Sequence, residues 1–273
     1  MSASEATRAI RTATVFTHSR AEETAAGIEL LRKIAEREGI EVIFEPEPGT
    51  RADVTIVLGG DGATLRALRA NAGTGVPVFA INFGRIGFLA TADRDEVDTA
   101  LERAFAGRFD VVPLAAIVLD SDSPELFGIN EVSFQRRSHL NMAQISYSIS
   151  GEDVGERVPC DGLIAATPAG STGYNLSVGG PILAWGVKGY TVSLIAPHAL
   201  SARALVAAPQ DVLRVVNDGR DPLDIVVDGM RTGELDGGKA VELTFRPDVV
   251  GLAQLPGSSF YRRFREKLIQ LTS

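Results

Sequence analysis

The stretch that decides the fold is Val54-Thr55-Ile56-Val57-Leu58-Gly59-Gly60-Asp61-Gly62-Ala63-Thr64-Leu65. A β-branched apolar run stops at two glycines, and Asp61 and a third glycine lead into a helix-like segment ending at Ala70. This order predicts a strand, a tight turn and a helix. In an open α/β sheet, such a turn lies at the carboxyl end of a strand, where ligands bind. Glycines allow close approach of a ligand, and the helix start offers N–H groups to phosphate.

Asp61 is therefore the first candidate for chemistry. A carboxylate beside a helix start could bind a metal, cap the helix, or accept a proton from a substrate hydroxyl. From this motif alone, capping and function remain comparable interpretations.

The first half of the chain alternates strands and helices, which predicts a parallel sheet with right-handed crossovers. A second glycine-rich loop, Asn82–Leu89, ends the strand next along the chain, so we expect both loops to open on one edge and form one cleft. Ser19 and Asp93 are the expected helix caps. The other predicted strands are Ala13–Thr17, Glu41–Phe44 and Val78–Ile81, and the other helices are Glu22–Glu38 and Asp93–Ala106.

After Gly107 the helical periods give way to short β-type runs separated by Gly, Pro and Asp, which favours an all-β sandwich. The runs are Val111–Leu119, Gly128–Phe134, Gln144–Ile149, Thr191–Ile195, Val212–Val216, Leu223–Val227 and Val241–Phe245. Ser258–Gln270 is predicted to be a closing helix. The predicted fold class is α/β plus all-β. It comprises an N-terminal Rossmann-like domain (residues 1–108), a C-terminal β-sandwich domain (109–257) and a helix (258–273) that packs back.

The amino-acid composition limits the classes of function that are open to the protein. The 273 residues are 45% hydrophobic and carry a net charge of −8, which argues against a protein that binds nucleic acid through a broad basic surface. Cys160 is the only cysteine, so no internal disulfide can form, as is usual in a reducing compartment. We find neither a signal peptide nor an apolar run of membrane-spanning length. We therefore expect a cytoplasmic protein that does not bind a membrane.

Two later segments are further candidates. Asn130-Glu131 interrupts an apolar run, and these side chains need partners. A buried salt bridge or an edge strand is one interpretation, and hydrogen bonding to ribose hydroxyls or a base is the other. Cys160–Pro181 is rich in Gly, Ser and Thr and has no charge after Asp161. It is either a loop packed between domains or the wall of a polar ligand site, with Tyr174 as a stacking surface.

Several common sites are absent from the sequence. There is no G-x-x-x-x-G-K-[ST] motif and no G-x-G-x-x-G after a strand, so neither a P-loop nor the usual hydride-transfer fingerprint is present. No His/Cys cluster predicts zinc. The three histidines are far apart in sequence and receive no role.

These segments, in this order and spacing, resemble the NAD kinase family. The elements that carry the resemblance are Gly59-Gly60-Asp61-Gly62, Asn82–Leu89, Asn130-Glu131, Asp161–Pro181, Pro197–Arg203 and Val227-Asp228-Gly229. The glycine–aspartate motif is shared with lipid kinases and, more distantly, with phosphofructokinases. The Asp161–Pro181 stretch is the specific part.

The departures from the family pattern are small. Ala63 stands where the family usually has Thr, so one hydroxyl near the phosphates is missing. Ala169 replaces a common Thr, and Gly173 replaces a common Ala. The segment before Asp161 lacks a basic or polar residue that some members carry there.

The resemblance implies transfer of the γ-phosphoryl of ATP, or of polyphosphate, to the 2′-hydroxyl of the adenosine ribose of NAD. Asp61 is then the general base, and the active site lies at the domain cleft. A divalent cation, expected to be Mg²⁺, assists without an assigned protein ligand, and the assembly is a homo-oligomer. The residues implied to bind the dinucleotide are Asp61, Gly62, Arg66, Asn130, Glu131, Asp161, Thr172, Gly173, Tyr174, Asn175, Leu176 and Ser177.

Two other functions remain open from the sequence. A lipid kinase of the same broad fold would expose an apolar or basic membrane face, against which the acidic pI and the Tyr174 loop argue. A non-catalytic NAD(P) sensor would bind dinucleotide without turnover, and it would gain little from a carboxylate at Asp61. The phosphoryl donor, acceptance of NADH, and the choice between dimer and tetramer are not determined by the sequence.

Overall fold

The computed structural model describes residues 9–17, 21–47, 49–84, 87–120, 126–137, 141–199 and 202–269. The chain divides into two compact units. Unit 1 comprises the residues up to Pro113 together with those from Val250 onwards, and unit 2 comprises Leu114–Val249. These units are defined by packing. The domain boundaries predicted from the sequence, after residues 108 and 257, are boundaries of folding domains and stay a prediction.

The chain forms five helices and seventeen strands within the described residues. The helices are α1 Ala21–Glu38, α2 Asp61–Ala70, α3 Val97–Phe105, α4 Tyr174–Ser177 and α5 Phe260–Phe264. The strands are β1 Thr12–Thr17, β2 Glu41–Phe44, β3 Val54–Gly59, β4 Val78–Asn82, β5 Ala92–Asp93, β6 Asp110–Leu119, β7 Leu126–Gly128, β8 Glu131–Gln135, β9 Ala143–Ile149, β10 Glu152–Cys160, β11 Gly162–Ala166, β12 Tyr190–Ile195, β13 Leu205–Ala207, β14 Leu213–Asn217, β15 Leu223–Val227, β16 Met230–Leu235 and β17 Ala240–Gln254.

Unit 1 contains a parallel sheet in the order β2-β1-β3-β4. Strand β5 and the end of β17, through Leu252 beside Val78, add to β4 in parallel. Its β3 is buried along its whole length, because both faces of a parallel sheet are covered. The apolar faces of α1 and α3 pack into the same core, through Leu31 and Leu101. The predicted Rossmann-like α/β domain is confirmed.

Unit 2 contains antiparallel strands in two layers. One layer holds β10-β9-β14 and the beginning of β17, and the other holds β13-β12-β11-β8-β15-β16. Side chains from both layers form one core, for example Ile145 and Val215 from the first and Phe134 and Leu163 from the second. Inward-facing residues of two packed sheets are expected to alternate with outward-facing ones. The predicted sandwich is confirmed.

Some predicted elements differ from the structure. The run Gly128–Phe134 is two strands, β7 and β8, because Ile129 and Asn130 turn to bond with distant residues. The predicted helix at Asp93 starts later: Asp93 ends β5, Arg94–Glu96 is a 3-10 turn with a capping box, and α3 follows. The run Val241–Phe245 is one part of the longer β17. Ser19 and Gln270 lie outside the described residues.

The C-terminal helix packs back against the N-terminal part of unit 1, as predicted. Helix α5 begins at Phe260, with Ser259 as its cap, and continues as a π-helical segment at Arg265–Ile269. The Phe260 ring meets the Phe88 ring edge to face at 5.9 Å. In the part of the chain that the structure describes, no helix has the length and apolar character needed to cross a membrane.

Candidate active site

The turn at Asp61 forms where β3 ends. Gly60 is extended, with φ −97° and ψ −172°, and α2 begins at the next residue. A Cβ placed on Gly84 would lie 3.4 Å from the Gly60 Cα, so the two glycine-rich loops approach closely. A Cβ on Gly60 would lie 3.9 Å from the Gly84 Cα, so glycine at both strand ends lets the two backbones lie close together without crowding by side chains.

The Asp61 carboxylate joins these two loops. Its Oδ2 accepts the Phe88 N–H at 2.9 Å, and its Oδ1 accepts the Leu89 N–H at 2.9 Å. Gly60 is the N-cap of α2 and makes no side-chain capping bond, so Asp61 is not the helix cap. A carboxylate has about four acceptor positions. Each oxygen therefore retains an acceptor position for a substrate hydroxyl.

The other predicted residues of this turn have different surroundings. Gly62 is exposed, and a Cβ there would meet nothing within 4 Å. Arg66 is also exposed, and its Nη2 donates to the Thr17 carbonyl at 2.7 Å. Ala63 is buried, and the hydroxyl of the next residue, Thr64, donates to the Gly60 carbonyl at 3.2 Å. The bond to Thr17 uses one of the five guanidinium N–H donors of Arg66, so the others remain available to a phosphate.

A turn at Asp228 organises the candidate site in unit 2. The Asp228 Oδ1 accepts the N–H groups of Asn130 at 2.7 Å and Glu131 at 3.2 Å, and Oδ2 accepts that of Ile129 at 3.0 Å. Asp228 has φ +46°, a left-handed conformation that Asp tolerates better than most residues. No catalytic or binding role is predicted for Asp228 from the sequence. Its only signal was the Val227-Asp228-Gly229 turn.

Glu131 follows this turn and is buried, with 7% of its surface exposed. Strand β8 lies between β11 and β15, so neither the edge-strand interpretation nor, among the described residues, a salt bridge explains the charge. Burial, with a smaller contribution from the negative charge of Asp228, raises the pKa of Glu131 to about 7. The Glu131 Oε2 and Asn130 Oδ1 are buried and have no hydrogen-bond partner within the described chain. Such orphaned atoms favour a polar ligand.

The segment after β11 packs against Asn130. The Thr167 hydroxyl donates to the Ile129 carbonyl at 2.6 Å, and the Thr167 N–H donates to the Asn130 carbonyl at 2.8 Å. A Cβ on Gly170 would overlap the Asn130 carbonyl, whereas one on Gly173 would lie 3.5 Å from Glu131 Oε2. Gly173 therefore borders the orphaned carboxylate.

The predicted binding residues Thr172–Ser177, on helix α4 and in the turn before it, differ in exposure. Asn175 is buried, and its amide is fully used: it donates to Ser171 and Pro181 carbonyls and accepts from the Thr191 and Ser193 hydroxyls. Thr172 donates to the Ala169 carbonyl at 3.2 Å. Tyr174 and Ser177 are exposed, and Leu176 is half-buried. Asn175 thus holds the loop in place, and Tyr174 presents its ring to solvent.

Asp161 precedes β11 and is half-buried. Its Oδ1 accepts a hydrogen bond from Arg136 Nε, which forms an ion pair. The hydrogen bond to Asp161 raises the pKa of the Arg136 guanidinium above its ordinary value. A dinucleotide that binds Asp161 must therefore share this carboxylate with Arg136.

The predicted site residues fall into two groups, one in each unit. Asp61, Gly62 and Arg66 lie in unit 1, and the others lie in unit 2. Within the described ranges, no three His, Cys, Asp or Glu residues group as a metal site. Arg263, which binds the Phe88–Ala90 segment, is a further residue that the sequence did not indicate.

Comparison with solved structures identifies the class of fold. The chain superposes on yeast NADH kinase complexed with NADH with a TM-score of 0.82, covering 97% of this chain and 89% of the other at 22% identity. An NAD kinase from Archaeoglobus fulgidus in complex with ATP gives a TM-score of 0.76, covering 94% and 98% at 24% identity. The fold is that of nicotinamide-dinucleotide kinases.

Sequence comparison then gives the family. Residues 3–109 match the ATP-NAD kinase N-terminal domain, and residues 129–248 match the ATP-NAD kinase C-terminal domain. The NAD kinase of Gemmatimonas aurantiaca is 36% identical over 227 residues, covering 80% of this chain and 78% of that protein. NAD kinase 2 of Streptomyces avermitilis is 34% identical over 236 residues, covering 84% and 78%. The chain belongs to the NAD kinase family, and the resemblance drawn from the sequence is confirmed.

Proposed function

We propose that the chain transfers the γ-phosphoryl group of ATP to the 2′-hydroxyl of the adenosine ribose of NAD, which gives NADP and ADP. The observation that carries the proposal is the Asp61 carboxylate, oriented at the start of α2 by two backbone N–H groups. It lies in a stretch that matches the ATP-NAD kinase N-terminal domain. The family match favours this function over a lipid kinase.

Asp61 acts in this proposal as the general base. A ribose hydroxyl is a poor nucleophile, and a positioned carboxylate can take its proton as the phosphoryl group arrives. The Phe88 and Leu89 N–H groups fix the plane of the carboxylate and leave acceptor positions on both oxygens. The free N–H groups of the first α2 turn favour phosphate nearby.

The dinucleotide contacts are proposed for unit 2. The orphaned Glu131 Oε2 and Asn130 Oδ1 would accept hydrogen bonds from ribose hydroxyls or a base amine. The exposed Tyr174 ring offers a stacking surface. Gly62, Arg66, Asp161 and the Thr172–Ser177 segment stay predicted binding residues, and the cleft location also stays a prediction.

A divalent cation, with Mg²⁺ as the expected ion, belongs to the proposal as a companion of ATP. Mg²⁺ is usually held by substrate phosphates, water and one or two carboxylates rather than by a protein cage. Its chemistry would be to neutralise phosphate charge. We assign it no protein ligand.

The test is a coupled assay for NADP formation from NAD, with ATP and polyphosphate compared as donors. Asp61→Asn should lower kcat by about 10²–10⁴-fold, the usual range for loss of a positioned base. Asp53→Asn is the matched control, since Asp53 also accepts two backbone N–H groups, from Arg11 and Thr12, in unit 1. Its kcat should match wild type. A wild-type protein inactive with every donor and metal contradicts the function, and an active Asp61→Asn contradicts the base.

We also propose a cytoplasmic homo-oligomer. The resemblance to the NAD kinase family implies this assembly. Sedimentation equilibrium distinguishes a monomer, a dimer and a tetramer.

A further inference from the structure

We propose that Arg263 is a positioning residue for Asp61, because it fixes the peptide segment whose N–H groups hold the Asp61 carboxylate. This inference rests on the proposed function for its catalytic readout. All of the residues involved belong to unit 1.

Arg263 binds one short segment at several points. Its Nη1 donates to the Phe88 carbonyl at 3.2 Å and also to the Ala90 carbonyl, and its Nη2 donates to Gln254 Oε1 at 2.7 Å. The guanidinium fork can make such contacts at once, because its donors lie in one rigid plane. Arg263 thus joins α5, the end of β17 and the loop after Gly87.

The connection to Asp61 passes through a single peptide group. The Phe88 carbonyl, which accepts from Arg263, and the Leu89 N–H, which donates to Asp61, belong to the same planar unit. Rotation of this unit would move both bonds together. The Phe88 N–H, which donates to the other Asp61 oxygen, lies one residue earlier. Hydrogen bonds arranged in series also polarise and strengthen one another.

Two more contacts connect the C-terminal helical segment to the second glycine-rich loop, one directly and one through Asp93. The Phe260 ring packs edge to face on Phe88 at 5.9 Å. Lys267 Nζ lies 2.9 Å from both carboxylate oxygens of Asp93, and Asp93 Oδ1 accepts from Asn82 Nδ2 at 3.1 Å. The C-terminal helical segment is therefore linked to both ends of the second glycine-rich loop. Of its residues, Arg263 is separated from Asp61 by the fewest hydrogen bonds, because only the Phe88–Leu89 peptide group lies between them.

The test is the kinetics of Arg263→Met and Arg263→Lys beside Arg262→Met. Arg262 is exposed on the same helix, and its backbone N–H, not its side chain, bonds to the Ser259 cap. We expect Arg263→Met to lower kcat roughly 10–100-fold with KM for NAD and ATP nearly unchanged, since small misplacements of reacting groups cost this much. Arg263→Lys should recover part of the loss, and Arg262→Met should match wild type.

A double variant separates positioning from simple stabilisation. If Arg263 acts through Asp61, adding Arg263→Met to Asp61→Asn should change kcat by less than about 2-fold, because coupled residues are not additive. An unchanged kcat per folded molecule in Arg263→Met, or full additivity in the double variant, overturns the inference.

Amide hydrogen exchange tests the positioning role of Arg263 without relying on kinase activity. It therefore applies even if the protein forms no NADP or if a variant is too unstable for kinetics. Arg263→Met should speed exchange of the Phe88 and Leu89 amides at least 10-fold, while amides of β1 stay as in wild type. Unchanged protection at both amides contradicts the positioning role. Absence of NADP formation by the wild-type protein contradicts only the proposed function.

Discussion

Two carboxylates in this protein have opposite surroundings. Both oxygens of Asp61 accept backbone N–H groups, whereas Glu131 is buried with an orphaned oxygen and a pKa of about 7. Environments that differ in this way let similar side chains do different work. Asp61 is the proposed proton acceptor for a substrate hydroxyl. Glu131 is suited to hydrogen-bond a ligand, and its protonation depends on pH near neutrality.

The Glu131 pKa predicts a pH-dependent stability. Its folded pKa, about 7, lies above the ordinary 4.5, so its stabilising contribution is complete below pH 4.5 and is lost as pH rises through 7. We expect wild type to lose about 3 kcal/mol more than Glu131→Gln between pH 4.5 and 7.5. Urea denaturation at each pH measures this difference.

The control for this measurement is Glu152→Gln, which alters an exposed carboxylate on β10. This variant should follow the wild-type pH dependence. A Glu131→Gln variant that follows it too would show that Glu131 titrates normally in the folded protein.

At the scale of elements, the turn between β11 and α4 packs closely against the turn that precedes β8. Gly170 lies against the Asn130 carbonyl, where a Cβ has no room, while a Cβ on Gly173 would have its nearest contact, the Gly170 carbonyl, at 3.3 Å. These two glycines differ in packing although both stand in one Gly- and Ser-rich segment.

This difference predicts unequal effects of alanine. Gly170→Ala should lower the free energy of unfolding by roughly 1–3 kcal/mol, the usual cost of overpacking. Gly173→Ala should change it by less than about 1 kcal/mol, since its neighbours need shift only slightly. Thermal and urea denaturation of the two variants measures both effects, and equal losses would contradict the assigned packing.

The helices and strands could be predicted from the sequence better than the points at which a strand is interrupted. The run Gly128–Phe134 has continuous strand character, but Asp228 binds the N–H groups at 129–131 and Thr167 binds the Ile129 carbonyl. These partners lie tens of residues away, so no local pattern reveals them. Asp61 was identifiable because glycines mark its turn locally. Its partners Phe88 and Leu89, and Arg263 behind them, depend on tertiary packing.

At the scale of the whole molecule, we expect NAD to stabilise one of the two units more than the other. If NAD contacts lie in unit 2, NAD at 100 times its Kd should stabilise the binding state by about 2.7 kcal/mol. For a unit of this size the melting temperature should rise by about 5–10 °C. Asp61→Asn should retain most of this shift, because its loss acts on proton transfer.

Differential scanning calorimetry with and without NAD measures the shift. If the units melt separately, the transition that moves identifies the unit that binds. Adenine alone is the control ligand and should give a smaller shift. A transition unaffected by saturating NAD would contradict the proposed dinucleotide site.

The discontinuity of unit 1 has a consequence for how the protein is made. The Asp61 turn leaves the ribosome before unit 2, but Leu252, Arg263 and Lys267 follow it. Synthesis of the intervening residues takes on the order of ten seconds. During that interval the nascent chain has the Asp61 carboxylate without the helix that fixes its loop. If Arg263 positions Asp61 as proposed, full ordering of the Asp61 carboxylate is delayed until the chain has been synthesised through Arg263.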